Sequence, residues 1–307
     1  MPLIQILSYF AVIVFIAMAV RRIYLIVNTP LHLRWELYPV PHERGRAKYG
    51  GSRLEDRNWS DHEEKPDHIN EIKEMLKEIL FLKAVWERNR TLWYGSYPFH
   101  LAMYLVIFNI FITILSAILL LVGVSPSSFY FELYHYVFTF VGYAGGALGI
   151  FGAVRLMLNR IADKNMAKYS TFSHFFNIIL IGAVFFTFLI WIIEEPYLSV
   201  HILSFFKGLI TFTKISGFSN IGYIHLYLFL FFMIYMPFTH MTHMYLKYFT
   251  YHKVRWEDTP MNSSIKDKIL EQLNYKVSWA APHIGADGKK TWLAIASEPL
   301  TKEEENE

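Results

Sequence analysis

The stretch from Ile221 to Tyr248 reads IGYIHLYLFLFFMIYMPFTHMTHMYLKY, with no formal charge before Lys247. An apolar run of this length can cross a bilayer, which takes about 20 residues of helix. Two histidines, His225 and His243, sit eighteen residues apart within it. At about 3.6 residues per turn that spacing is five turns, so a continuous helix would point both imidazoles from one face. At about 1.5 Å per residue they would lie roughly 27 Å apart, close to the hydrocarbon thickness of a membrane. One nitrogen ligand near each membrane surface is the arrangement two stacked haems need. The expectation is a chain that carries electrons through a membrane.

The rest of the composition agrees with a membrane protein. The chain of 307 residues is 54% hydrophobic and 18% aromatic, with a mean hydropathy of +0.27, which is high for a soluble domain. The net charge of +3 is too small to suggest nucleic acid. There is no cysteine, which excludes disulfides, thiolate zinc sites and cysteine-ligated iron–sulfur clusters. A redox centre held here must use other ligands, and thirteen histidines are present.

Apolar runs predict five spans near 3–27, 97–122, 133–157, 172–194 and 221–248. The fold class is therefore all-α, an integral membrane bundle of five transmembrane helices with a cytoplasmic loop and tail. The first run ends in Arg21-Arg22 and lacks a basic start and a small-residue cleavage site, so it reads as a retained span. Twelve Lys and Arg lie in 28–92 and none in 123–132. Arg155, Arg160, Lys164 and Lys168 follow span three, against only Lys207 and Lys214 after span four. The positive-inside rule then puts the N-terminus outside and the C-terminus in the cytoplasm. Four segments result: a first helix over 1–27, a cytoplasmic loop over 28–96, a four-helix core over 97–248 and a cytoplasmic tail over 249–307.

The loop and tail are not featureless. Tyr38 to Gly45 is rich in Pro, Gly and Arg. After Pro66, Ile69, Ile72, Leu76, Ile79 and Leu80 alternate with Glu and Lys as in an amphipathic helix. That helix suits either a membrane surface or a docking face for a cytoplasmic subunit. The tail carries turn signals at His283-Ile284-Gly285-Ala286-Asp287-Gly288 between Trp279 and Trp292, and also suits docking.

Ionisable residues inside spans are costly and mark function. His100, His135, His174, His225, His240 and His243 fall within or at the ends of the predicted spans. A neutral imidazole survives in an apolar bundle and is a common axial ligand of haem iron. Spans two and five run antiparallel, so His100 and His243 can meet near the cytoplasmic surface. Gly142, Gly145, Gly146, Gly149 and Gly152 line span three, either for close helix packing or as room for a flat macrocycle. His240 and His243 are three apart but have no carboxylate beside them, which weakens a zinc reading. His240 suits contact with a haem propionate or a headgroup phosphate, supported by Lys247, His252, Lys253 and Arg255. Glu194, Glu195 and His201 end span four at the outer surface, where a carboxylate can relay protons during quinol oxidation or simply cap the helix. No GxSxG motif and no phosphate-binding glycine loop appears.

These residues resemble the gamma subunit of respiratory nitrate reductase. The resemblance rests on five spans, His225 and His243 with seventeen residues between them, and Pro237-Phe238 before the second histidine. Phe99-His100 and Ala144-Gly145-Gly146-Ala147 fall in register as well. It covers roughly 97–248. The long loop and the tail look more like related cytochrome b subunits that partner heterodisulfide-reductase-like iron–sulfur proteins, including the membrane subunit of the sulfite-reduction-associated complex.

The resemblance implies two b haems between spans two and five, and a menaquinone or menaquinol site near the outer haem. It also implies an iron–sulfur partner subunit at the cytoplasmic face of an oxidoreductase complex in the cell membrane. Carried over by residue, the inner haem iron falls to His100 and His243. The outer haem falls to His225, but the position expected for its second ligand is Ile110, which cannot bind iron. Three readings follow. His135 replaces the missing ligand, which is the favoured one; or the outer haem is five-coordinate or absent and His225 contacts quinone; or the register of span two is shifted. Quinone would bind near His135, His225, Glu194, Glu195 or His201. The competing functions are a His-lined metal transporter and a haem-free anchor of a cytoplasmic complex.

Overall fold

The computed structural model describes residues 2–29, 44–46, 55–58, 61, 65, 67–215, 217–252, 266–279 and 287–298. Tyr38 to Glu43, Pro66, Lys253, Arg255, His283 to Ala286 and the side chain of His252 lie outside the described residues. The architecture is all-α. Among the described residues, five helical segments are long and apolar enough to cross a membrane, as the hydropathy pattern predicts. They are α1 (Leu3–Val27), α4 (Arg90–Leu121), α5 (Phe129–Ala162), α7 (Phe172–Glu194) and the segment Asn220–Phe238, formed by α9 (Asn220–Tyr235) and the turn that follows it. Two short helices, α2 (His68–Leu80) and α3 (Lys83–Arg88), precede α4, and α6 (Lys164–Lys168) joins α5 to α7.

The chain divides into two compact units, one of Met1–Arg21 with Lys65–Tyr245 and one of Arg22–Glu64 with Leu246–Glu307. In the first, α4 packs along α5, α5 along α7, and α7 along α9. The contact between α4 and α9 is slight by comparison. In the second, the Lys276–Thr291 bridge joins two strand-like residues, and Trp279 packs edge-on against Trp292 with ring centres 5.8 Å apart.

The glycines of α5 are filled by neighbouring helices. A Cβ on Gly149 would stand 2.3 Å from the Phe185 ring, and one on Gly142 would stand 2.7 Å from Ile192, both on α7. Gly152 lies against the backbone of Phe99 on α4, where a Cβ would come within 2.6 Å. The row therefore serves close helix packing, and the reading of it as room for a macrocycle is not supported.

Two features depart from the sequence reading. The connection after span four is a helix, α8 (Leu198–Thr211), which buries Leu198, Ile202, Leu203 and Phe205 and packs on α4 and α5. Its last carbonyls, which no helical N–H can reach, are met from α1. Gln5 Nε2 donates to Gly208 O at 3.3 Å and to Thr213 O at 3.0 Å, and Tyr9 Oη donates to Leu209 O at 2.7 Å.

The fifth span is also not one helix. α9 ends at Tyr235, Met236–Phe238 and His240–Thr242 are 3₁₀ turns, and α10 (His243–Lys247) begins at the second histidine. Pro237 cannot donate to the helical ladder, and Thr239 is extended with φ −115° and ψ 176°. The count of five turns on a single face consequently does not hold. Thr239 ties the break together, since its hydroxyl donates to Met236 O at 2.9 Å and accepts from Met241 N at 3.2 Å.

Candidate functional site

At the end of the bundle where the fifth span breaks, His100 and His243 face one another. Their ring centres are 6.2 Å apart with ring planes 54° apart. His100 sits on α4, two residues after Pro98, and its Nδ1 lies 2.7 Å from Ser96 O. His243 opens α10, and its Nδ1 lies 3.0 Å from His240 O. A carbonyl only accepts, so in each neutral ring Nδ1 carries the proton and Nε2 the lone pair. Backbone partners of this kind fix the ring plane of a metal-ligating histidine.

The spacing fits one iron between two imidazoles. With metal–nitrogen bonds of about 2 Å and rings just over 1 Å in radius, a linear pair places ring centres roughly 6.3 Å apart. His100 stands on α4 and His243 on α10, so the pair spans two separate helices. His100 and His243 would therefore be able to hold one metal ion between their imidazole nitrogens.

His240 and His243 do not converge. The His240 ring lies against His174, with centres 4.9 Å apart, and its Nε2 is 3.5 Å from Asn177 Nδ2. Asn177 Oδ1 in turn accepts from Tyr235 Oη at 3.0 Å. Among the described residues, no group of three or more His, Asp or Glu gathers to hold a metal ion.

At the opposite end His225 is buried on α9. Its ring packs on Phe188, Trp191 and Phe229 at 5.3, 5.5 and 6.2 Å between centres. Thr187 Oγ1 lies 3.0 Å from His225 Nδ1 and already donates to Ala183 O at 2.9 Å. It therefore accepts from His225 Nδ1, and Nε2 again keeps the lone pair. Gly222 lets this happen: a Cβ there would stand 2.8 Å from the Trp191 ring, so only glycine allows Trp191 to lie flat under α9.

His135 has neighbours of its own. Its Nδ1 is 2.9 Å from the Ser199 hydroxyl on α8, and its ring contact is with Tyr134. The structure thus brings His100 to His243, while His135 and His225 contact different aromatic rings. Ile110 lies on α4 next to Asn109, whose Nδ2 donates to Phe138 O at 3.0 Å.

Glu195 and His201 do come together. The Glu195 carboxylate accepts from Trp191 Nε1 and contacts His201 Nδ1. An unbroken run of contacts leads from exposed His201 through Glu195 and Trp191 to His225. Glu194, the last residue of α7, is exposed and lies outside that run. Sequence reading missed Thr187, Trp191 and Ser199. The four-residue step from Trp191 to Glu195 and the apolar period of Leu198, Ile202, Phe205 and Leu209 were the available signals.

No curated protein and no solved structure matches the chain. A protein-family model described as the nitrate reductase gamma subunit matches residues 85–257, which holds α4 to α10 and every histidine of both ends. The chain belongs to the nitrate reductase gamma subunit family.

Proposed function

We propose that this chain is the membrane cytochrome b subunit of a quinone-linked oxidoreductase, with b haem held between His100 and His243. The facing pair of imidazoles, 6.2 Å apart with both Nδ1 atoms on backbone carbonyls, carries this reading. Bound haem supplies reversible one-electron chemistry, which the cysteine-free chain has no side chains of its own to provide.

The protein's part is to hold and orient. Ser96 and His240 carbonyls fix the two rings and leave Nε2 of each as the iron-binding atom. The break at Pro237 to Thr239 turns His243 toward α4. At the other end His225 is the proposed ligand of a second haem, oriented by Thr187, with His135 as its proposed partner and Ser199 holding one side of that ring. Glu195 and His201 are proposed to take protons from menaquinol bound near His225 and pass them to the outer surface. Trp191 holds the carboxylate in place between them.

The Lys and Arg asymmetry supports a cytoplasmic position for the His100–His243 end, and an iron–sulfur partner of the heterodisulfide-reductase-like type is proposed to meet it there. The reading is tested by adding a menaquinol analogue to membranes that contain the chain. Reduction of b-type absorption bands supports it, and a spectrum without haem bands in the loaded, purified complex contradicts it.

A further inference from the structure

We propose that α2 is an in-plane membrane helix, lying in the lipid interface at the His100–His243 end with its apolar face in the acyl chains. This goes beyond the electron-transfer reading and does not depend on any cofactor.

The helix is inside out for a protein in water. Ile69 and Ile72 are 69% and 50% exposed, while the side chains of Glu71 and Glu74 are only 22% and 25% exposed. Ile69, Ile72, Leu76 and Leu80 follow at steps of three or four and form one stripe. Leu76 and Leu80 are exposed as well, at 44% and 41%, so the stripe is directed away from the bundle. Soluble surfaces seldom carry such a face; next to lipid it is the stable orientation.

Its neighbours mark the interface. α4 is about 48 Å long by its 32 residues, against roughly 30 Å of hydrocarbon, so its first turns stand among the headgroups. Those turns hold Trp93, Tyr94 and Tyr97, with Trp86 on α3 packed on Trp93 and Trp93 stacked on Tyr97 at 4.5 Å. Indole and phenol rings collect at this level of a membrane. Arg90 covers the Trp86 ring at 4.6 Å.

α2 is tied to the span at that depth. Tyr104 Oη on α4 donates to Ile79 O at 2.5 Å, and Trp93 Nε1 donates to Phe81 O at 2.8 Å. Both bonds satisfy carbonyls at the C-terminal end of α2, which have no helical donor. Lys77 and Lys83 both bond Glu74, at 2.6 and 2.8 Å, so the polar face is largely self-neutralised. The lipid it fits is therefore zwitterionic as readily as anionic, and the attraction is apolar area.

The chain has no cysteine, so single-cysteine spin labels can be placed one at a time from Ile69 to Leu80 in phosphatidylcholine nanodiscs. The expected result is oxygen accessibility with a 3.6-residue period that peaks at Ile72 and Leu76, out of phase with accessibility to a water-soluble nickel chelate. In the unsubstituted chain, a lipid with a photoreactive acyl chain is expected to label the peptide that holds Ile72 and Leu76. Nickel access that peaks at the apolar positions, or an unlabelled 68–80 peptide, overturns the proposal. So does protection of those positions that appears only when a protein partner is added.

Discussion

His100 on α4 and His243 on α10 bring their rings together at 6.2 Å between centres. Neither ring is free to choose its tautomer, because Ser96 O and His240 O each accept from an Nδ1. Two imidazoles oriented in this way are suited to act together as metal ligands. The break in the fifth span is what makes the meeting possible, and it supplies the first prediction.

Thr239→Val removes both hydroxyl contacts that tie the two 3₁₀ turns. Loss of a cap costs about 1 kcal/mol, so a modest fall in thermal midpoint is expected. A weakened hold on His243 is also expected, read as partial loss of the inner haem in a reduced-minus-oxidised spectrum. Thr250→Val, which removes a hydroxyl bond to Leu246 O within the other unit, should leave haem content unchanged.

Gly152→Ala places a methyl group within 2.6 Å of the Phe99 backbone. Phe99 cannot retreat without shifting His100 beside it. Overpacking of this kind costs about 1–3 kcal/mol, and here it should lower the inner haem content as well as the stability. Gly145→Ala, whose nearest neighbour stands at 3.5 Å, should be near neutral in both measurements.

The spans and their order were legible in the sequence because apolar length reports them directly. The meeting of His100 with His243 was expected from antiparallel spans two and five, and it is seen. Its stated basis was partly mistaken: Pro237 and Thr239 stop the helix, a local backbone event that a count of turns across 225–243 cannot register. α8 was hidden for a different reason. It follows Pro196 and ends in a left-handed Phe212, φ 58°, so its apolar run is too short to read as a span and passed for a connection. The partners of His135 and His225 lie on that helix and on the flank of α7, so they depend on tertiary packing.

Glu195→Gln keeps an acceptor for Trp191 Nε1 but removes the charge that His201 faces. Quinol oxidation should slow, with its dependence on pH flattened, while haem content stays the same. Glu194→Gln, at an exposed position outside the run of contacts, should change neither. A fall in rate that accompanies loss of haem would assign Glu195 to structure instead.

The tie between α2 and α3 should follow pH at both extremes. Burial raises the Glu74 carboxyl, but its bonds to Lys77 and Lys83 outweigh this and hold it below its ordinary value of 4.5. Its bond to Glu74 holds the Lys83 ammonium above its ordinary 10.5. The carboxylate's contribution is complete above its unfolded value and fades as pH falls through the folded one. The ammonium's contribution is complete below 10.5 and fades as pH rises through its folded value. An exposed network of this kind is worth at most about 1 kcal/mol. Protection of the 68–88 amides against hydrogen exchange, relative to the intrinsic rate at each pH, should be greatest between the two limits, and Glu74→Gln should remove both dependences.

The central claim is that His100 and His243 hold one iron between them. The most direct test is haem content and low-temperature reduced spectra of the purified chain beside its His100→Ala and His243→Ala variants. The account predicts that each variant loses the same b-type component, and that the double variant loses nothing more. Full haem content with an unchanged spectrum in either single variant would contradict it.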